Sequence, residues 1–377
     1  VILLWLGRAD IATEAKEAFM AALIGFEDGC GGFYSYRAYF LAAAGLGEFP
    51  QSTHAEGILT QLLQWRFGEV SPPLREGARV ALLQTDRPLA IATLEQCIQT
   101  TDNPFTAWQA AYTLGKILDP GNAMAIATLI HLIDTVYTEA LRLQVIESLG
   151  KMAPDHPIVL RSIQEILAST QQDKIRCRAA YSLGKMNPGN AHAIAVLEQL
   201  IDSTLDATVR LVAAKNLILL DTENRIAVKA LDSLQKKSVK TSQKRQIKPA
   251  AHPTSAQLIA RLEQRLATAK NTTEVRRIAF RLGTLQPGHP QAIACLLQLL
   301  LSTESSTSYK RLVEDLKQVL LDHQFAEAVV HLKEYVARSE LSVPTQPSSV
   351  QWHECHKLLW YCAQQMSYAE FSKAWIS

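Results

Sequence analysis

Six cysteines (Cys30, Cys97, Cys177, Cys295, Cys355 and Cys362) are scattered along the chain, and no two of them form a CxxC pair. Such spacing argues against a disulfide framework or a paired zinc knuckle. It reads as reduced thiols, most of them small core residues, in a cytoplasmic protein. Aromatic residues are also scarce, at 7%, while Ala, Leu and Ile are abundant, a mixture suited to closely packed helices. Neither sign of charge is in excess: 38 Lys and Arg against 36 Asp and Glu leave a net charge of +2. Strong global attraction to nucleic acid or to an anionic membrane is therefore not implied. Long apolar runs are missing too. The opening VILLWL is apolar for six residues and has no basic lead-in, so it is neither a signal peptide nor a membrane span. The chain starts at Val1 rather than Met, and the expectation is a fragment or a processed product. With 48% hydrophobic and 20% charged residues, it reads as soluble and globular.

Catalytic motifs are absent as well. No HExxH and no GxSxG occurs, which removes the common metalloprotease and hydrolase signatures. Gly-Lys recurs at Gly115–Lys116, Gly150–Lys151 and Gly184–Lys185. A phosphate-binding loop needs a Gly five residues before that Gly and a Ser or Thr after the Lys. Here Ala110, Val145 and Ala179 precede, and Ile117, Met152 and Met186 follow. No enzymatic activity and no cofactor is expected of these residues.

What is present is repetition. YTLGKILDPGNAMAIATLIHLI from Tyr112 and YSLGKMNPGNAHAIAVLEQLI from Tyr181 are one text written twice, with one residue inserted or dropped. The Gly of LG recurs at Gly45, Gly115, Gly150 and Gly184, with Val80 at the midpoint of the first interval and Ile218 one period beyond the last. Gly283 resumes the pattern after a break. Each period of about 34–35 residues holds two helical patterns. Ala111, Leu114 and Leu118 mark the first. Ile126, Leu129, Ile130 and Ile133 mark the second, and Ile194, Leu197 and Ile201 repeat it. Between them, Pro stops one helix, Gly accepts a left-handed turn, and Asn122 or Asn190 is a good N-cap for the next. One helix pair has too small a core to stand alone, so stacking is required. The predicted fold class is all-α, an α-solenoid of stacked antiparallel helix pairs.

Candidate binding residues follow from the same register. Eight residues before the anchor Gly position, Arg recurs as Arg37, Arg142, Arg176 and Arg210, with Glu139, Asp173 and Asp206 just before three of them. Stacking turns a fixed offset into a line in space. The row is either a guanidinium surface for an acidic partner or a structural ladder in which each Arg bridges to a neighbouring repeat. A second candidate is the acid-free segment 237–254 and its edge, carrying Lys236, Lys237, Lys240, Lys244, Arg245 and Lys248. It reads as an exposed loop that binds an anionic partner or simply stays solvated. Near the C-terminus, Trp352, Cys355, Leu359, Cys362 and Met366 share a helical stripe, with His353 and His356 beside them. Their spacing suits a packed amphipathic helix better than a metal site. GCGG at Gly29 reads as a flexible turn, where a phosphate cradle is conceivable but has no further support.

The string running from Asp173 to Ile201, and less completely from Asp206 to Leu231, Glu139 to Leu167 and Phe105 to Ile133, resembles the bacterial HEAT-like repeat, the type also found in phycobilin lyases. The flanks AFMAALIGFEDGCGGFYSYRAYFLAAAGLGEFP and HKLLWYCAQQMSYAEFSKAW resemble segments of large bacterial NACHT-type NTPases of the STAND class. That resemblance implies the C-terminal sensor portion of such a protein, with nucleotide switching assigned to an upstream module. The implied organisation is N-terminal helical or capping repeats over 1–70, regular HEAT-like repeats over 71–236, a basic insertion loop over 237–254, further divergent repeats over 255–340, and a linker with a C-terminal helical segment over 341–377. The expected function is a protein–protein interaction module, a sensor or scaffold in signalling or defence. It would bind a protein partner through the solenoid surface and contact an upstream NTPase module within the same protein. The alternative is a phycobilin lyase-like chromophore chaperone acting on phycobiliproteins.

Overall fold

The computed structural model describes residues 2–233, 255–269, 271–302, 306–341 and 350–377. The described residues contain helices and no strand. In chain order the helices are α1 (Ile2–Leu6), α2 (Thr13–Ile24), α3 (Phe33–Gly45), α4 (Ala55–Phe67), α5 (Pro72–Gln84), α6 (Arg87–Thr100) and α7 (Pro104–Thr113). A π-helical turn, Leu114–Leu118, extends α7. Then come α8 (Ala123–Thr135), α9 (Glu139–Met152), α10 (Pro157–Ser169), α11 (Asp173–Met186), α12 (Ala191–Ser203) and α13 (Ala207–Leu220), followed by α14 over residues 225–233. The last group is α15 (Ser255–Thr268), α16 (Thr272–Leu285), α17 (Pro290–Ser302), α18 (Ser306–Val319), α19 (Phe325–Leu341), α20 (Val350–Gln365) and α21 (Tyr368–Ile376).

The chain divides into two compact units, Val1–Arg87 with Pro249–Ser377, and Pro88–Lys248. In the second unit each helix packs on the next, from α7 to α13, and the odd-numbered helices also touch one another in the order α7, α9, α11, α13. That is the contact pattern of a two-layered α-solenoid. In the first unit α15 to α18 pack in succession, and α20 packs against α18, α19, α3 and α5.

The turns form as their residues dictate. Gly121, Gly189 and Gly288 sit at φ of 85°, 78° and 80°, the left-handed region where a side chain is costly. Asn122 and Asn190 accept from the backbone N–H of Ala125 and Ala193, each at 3.0 Å, which caps α8 and α12. The Asn122 amide also donates to Glu95 on α6 at 3.1 Å, and Asn224 does the same to Glu198 on α12 at 2.8 Å. The capping residue thus ties its own helix to the preceding one in its layer.

The anchor glycines are packing notches. Gly115, Gly150 and Gly184 are all buried. A methyl group at Gly150 would stand 2.6 Å from Met186 Cε, and one at Gly283 would stand 2.7 Å from Val319 Cγ1. Gly115 and Gly184 are closed in the same way by Met152 and Leu220. The notches at Gly115, Gly150 and Gly184 therefore receive a side chain from the end of the next first-layer helix, a knob set two residues past the next anchor position, and Gly283 receives Val319 from the end of α18.

The extra residue in the first copy does not lengthen the loop; it is absorbed as the π turn, where the Asp119 N–H donates to Leu114 O at 2.7 Å. A one-residue insertion widens a helical turn while flanking contacts hold both ends in place. The buried stripe of α8 is Ala125, Leu129, Leu132 and Ile133, with Ile126 and Ile130 only half buried. The core-facing centre lies one residue from the aliphatic stripe because Ala125 sits beside Gly115, where only a small side chain fits.

Candidate partner-binding face and the C-terminal Cys/His element

The four ladder arginines occupy equivalent positions on α3, α9, α11 and α13, and each has a partner within the molecule. Arg142 Nη2 donates to Glu165 at 3.1 Å and Arg176 Nη2 to Gln199 at 3.1 Å. Both reach across to the second helix of their own repeat, 23 positions on. Arg210 donates to the Thr204 carbonyl at 2.5 Å. Arg37 donates to the Ala363 carbonyl at 2.7 Å and lies over the Tyr34 ring at 4.8 Å. The side chains of Arg142 and Arg176 are only 28% and 25% exposed, so these groups brace helices more than they face solvent. Asp173 also stands 4.0 Å from Arg176 Nη1, and two of the neighbouring acids have hydroxyl partners besides. Glu139 accepts from the Thr170 hydroxyl and Asp173 from the Thr204 hydroxyl, each at 2.7 Å. Lys236, Lys237, Lys240, Lys244, Arg245 and Lys248 lie outside the described residues.

The exposed side of the first layer carries residues that the ladder argument did not select. Between α11 and α13 is a depression of about 310 Å³, apolar at Val209 and Val212 and edged by Lys174, Arg178 and Tyr181. Between α9 and α11 a second, of about 550 Å³, is edged by Lys151, Arg178, Tyr181 and Lys185. Arg178 is held by Glu147, with Nε to Oε1 at 2.9 Å, and Ser182 donates to the same carboxylate at 2.7 Å. The Lys116 ammonium donates to the Lys151 carbonyl at 3.0 Å, and Lys151 lies over the Tyr112 ring at 5.7 Å. Lys116 and Lys151 are thus repeat-to-repeat ties on this face, which Lys185 also edges. The signal that marks it in the sequence is the recurring YxLGK itself.

The N-terminal GCGG turn is not loose. Gly29, Gly31 and Gly32 take φ of 64°, 79° and 78°. They fold the backbone around the Asp28 carboxylate, which accepts from the N–H of Cys30 (2.8 Å), Gly32 (3.0 Å), Tyr34 (2.6 Å) and Ser35 (3.1 Å). Any anion cradle here is filled by the chain's own carboxylate. Burial alone would raise the Asp28 pKa; the four backbone donors outweigh it and hold the group below its ordinary value. This turn aims α3 at α20. Tyr34 OH donates to the carbonyls of Ala363 (3.2 Å) and Met366 (3.0 Å), and Tyr368 OH donates back to the Asp28 carbonyl at 2.9 Å.

The C-terminal cysteines and histidine are packed rather than presented. Cys355 and Cys362 are fully buried and His356 is 5% exposed. The His356 ring lies 4.9 Å from Phe33 and 4.9 Å from Trp352, between centroids. Phe33 also meets Trp360, Phe371 and Trp375. Burial pushes both thiols up to about 12, and burial followed by the charge of His353 pushes His356 down to about 4. Neutral thiols and a neutral imidazole result, which are weak nucleophiles and poor ion partners. Among the described residues no group of three or more His, Cys, Asp and Glu side chains is placed to hold a metal ion. The expected stripe is buried at Cys355, Leu359 and Cys362, but Glu354, His356, Leu358 and Trp360 are buried as well. Helix α20 is covered on several sides, so no single stripe describes it.

Residues 126–218 match the family model of HEAT repeats. The array is built of HEAT-like repeats. Residues 348–375, which include α20 and nearly all of α21, match the family model described as NACHT C-terminal Cysteine and Histidine-containing. No curated protein matches the sequence. A solved structure described as "Computational Design of Self-Assembling Cyclic Protein Homooligomers" aligns over 90% of this chain and 98% of its own at 11% identity; its TM-score is 0.10 and it carries no argument. Both matched family models are non-catalytic modules, and no described helix is long and apolar enough to cross a membrane.

Proposed function

We propose that this chain is the non-catalytic sensor and scaffold region of a NACHT-type NTPase involved in bacterial signalling or defence, and that it works in the cytoplasm. The observation that supports this reading best is the joining, in one chain, of a HEAT array at 126–218 to a NACHT-associated C-terminal element at 348–375. The array would recognise a protein partner on the side of α7, α9, α11 and α13 that carries Tyr181, Arg178 and the Gly-Lys lysines. Tyr and Arg are the residue types that anchor protein interfaces, since each offers large contact area with directed polar groups. The partner would act by population shift, binding better to an arrangement in which the upstream NTPase module is released.

The test is to assay nucleotide hydrolysis in the protein read upstream from the genomic sequence, with and without residues 1–377. Continuation of the reading frame into a Walker A motif is expected, with turnover that rises when this region is removed. A frame with no NTPase module upstream sinks the NACHT reading. Within the full protein, Tyr181→Ala combined with Arg178→Glu should abolish the response to the partner while the circular dichroism spectrum stays helical. An unchanged response would move the recognition site elsewhere.

A further inference from the structure

We infer that the α4–α5 hairpin binds a phosphate-type dianion. Three arginines, Arg66, Arg75 and Arg79, lie on this hairpin with three carboxylates, Glu56, Glu69 and Glu76, of which Glu76 is the one that acts on Arg66. Arg79 is held by Glu76 through Nε at 2.9 and 3.0 Å and Nη2 at 2.6 Å. Arg75 is committed to the loop backbone, with Nη2 donating to the carbonyls of Gly68 at 3.1 Å and Val70 at 3.4 Å. Arg66 has neither kind of support. It makes no hydrogen bond or ion pair to any described residue, its Nε is buried without a partner, and its guanidinium lies over the Phe67 ring at 5.4 Å.

A half-buried guanidinium without a hydrogen-bond acceptor, close to two further guanidinium groups, is unfavourable on three counts. Burial strips its water, the carboxylate that acts on it, Glu76, is already engaged by Arg79, and its buried Nε–H is left without an acceptor. Burial lowers its pKa, the Glu76 charge raises it, and Arg79 and Arg75 lower it again. The Nε of Arg142 and of Arg210 is likewise buried without a partner, but those two, with Arg37 and Arg176, each have an acceptor on Nη2, which Arg66 lacks. A second unpartnered group lies in the same hairpin: Ser71, at the N-cap of α5, is 3% exposed, and its hydroxyl neither caps the helix nor finds another partner. A phosphate group supplies what is missing. It carries between one and a half and two negative charges near neutrality, by the usual ionisation of a monoester, and several acceptor oxygens that guanidinium forks grip in pairs. This site is independent of the partner-binding face on α7 to α13.

The experiment is equilibrium dialysis of the full chain against radiolabelled inorganic phosphate, and separately against glycerol 3-phosphate, in chloride buffers of matched ionic strength. One bound phosphate per chain is expected, and saturating ligand should raise Tm by roughly 3 °C over chloride alone. Uptake of both ligands assigns the site to phosphate monoesters, and uptake of inorganic phosphate alone assigns it to the free ion. Arg66→Gln should weaken binding about tenfold or more, and Arg66→Lys, which keeps the charge but loses the fork, should weaken it less. Arg79→Gln, at the more exposed end of the cluster, provides a second reading should Arg66→Gln misfold; it should weaken binding as well. No uptake at phosphate concentrations on the order of 10 mM, or equal uptake by wild type and both glutamine variants, overturns the inference.

Discussion

Gly283 and Gly57 are both helical glycines, and the same substitution should move them in opposite directions. A methyl group at Gly283 meets Val319, whose branched side chain is fully buried and cannot swing aside. Gly283→Ala should cost roughly 1–3 kcal/mol by overpacking. Gly150→Ala should cost less, because the nearest atom, at 2.6 Å, is the terminal methyl of the flexible Met186, while the branched Val159 stands further off at 3.2 Å. At Gly57 nothing lies within 4 Å of the added carbon, so Gly57→Ala should stabilise by about 0.5–1 kcal/mol through helix propensity alone. Urea midpoints of the three variants check the order. His356 gives the pH dependence at this scale. Its folded pKa of about 4 lies below its ordinary value of about 6.5, so the neutral ring belongs to the fold. As pH falls below about 6.5 the unfolded chain takes up the proton first, and stability drains away until the folded pKa is passed. The full effect is about 3 kcal/mol. Comparing wild type with His356→Phe by urea denaturation between pH 7.5 and pH 4 should show the extra slope in the wild type only. Equal slopes would mean that His356 is hydrated or charged in the fold.

At the scale of the element, the π turn at Leu114–Leu118 is the fold's record of a single inserted residue. Deleting Ile117, which is 43% exposed, changes LGKILDPGN to LGKLDPGN and restores the length of the second copy. The expected product folds with an ordinary α turn and changes stability by about 1 kcal/mol or less, since one strained turn is exchanged for a regular one. Amide exchange across 114–122 reads the outcome. Faster exchange than in the wild type would show that the π turn is needed by its neighbours. Elements are also where sequence patterns speak most plainly. The PGN turns were legible because Pro, left-handed Gly and a capping Asn each act over three or four residues. The core stripe of α8 was legible only to within one residue, because which aliphatic side chain points inward depends on where the glycine notch of the partner helix lies. The ladder arginines were found by their register, but that register does not name their partners. Glu165 and Gln199 lie 23 positions on, a distance set by how two helices cross.

Across the whole molecule, the first unit is held together by contacts between its two ends in sequence. Phe33, Tyr34 and Leu74 share one hydrophobic core with Leu262, Leu316, Leu359 and Phe371. Removing residues 350–377 should therefore expose Phe33 and Tyr34, with loss of amide protection in α3 and α5. Helices α9 to α13 should keep their protection, because their core is built from neighbours within their own unit. Intact protection in α3 after truncation would show that the C-terminal element is an ornament on a core complete without it. The sequence by itself determined the helical class, the period near 34–35, the turn chemistry and the absence of a nucleotide loop in Gly-Lys. The helical class and the turn chemistry are local, carried by spacings of a few residues, and their recurrence along the chain gives the period. Tertiary structure alone decided that Asp28 fills its own glycine cradle, that α20 is covered on several sides, and that Arg66 is left without an acceptor. Tyr34 bonds to Ala363 and Met366 across more than 300 residues of chain. Such contacts impose no periodicity on the sequence, since any residue of suitable shape and polarity can meet another wherever the fold happens to bring them.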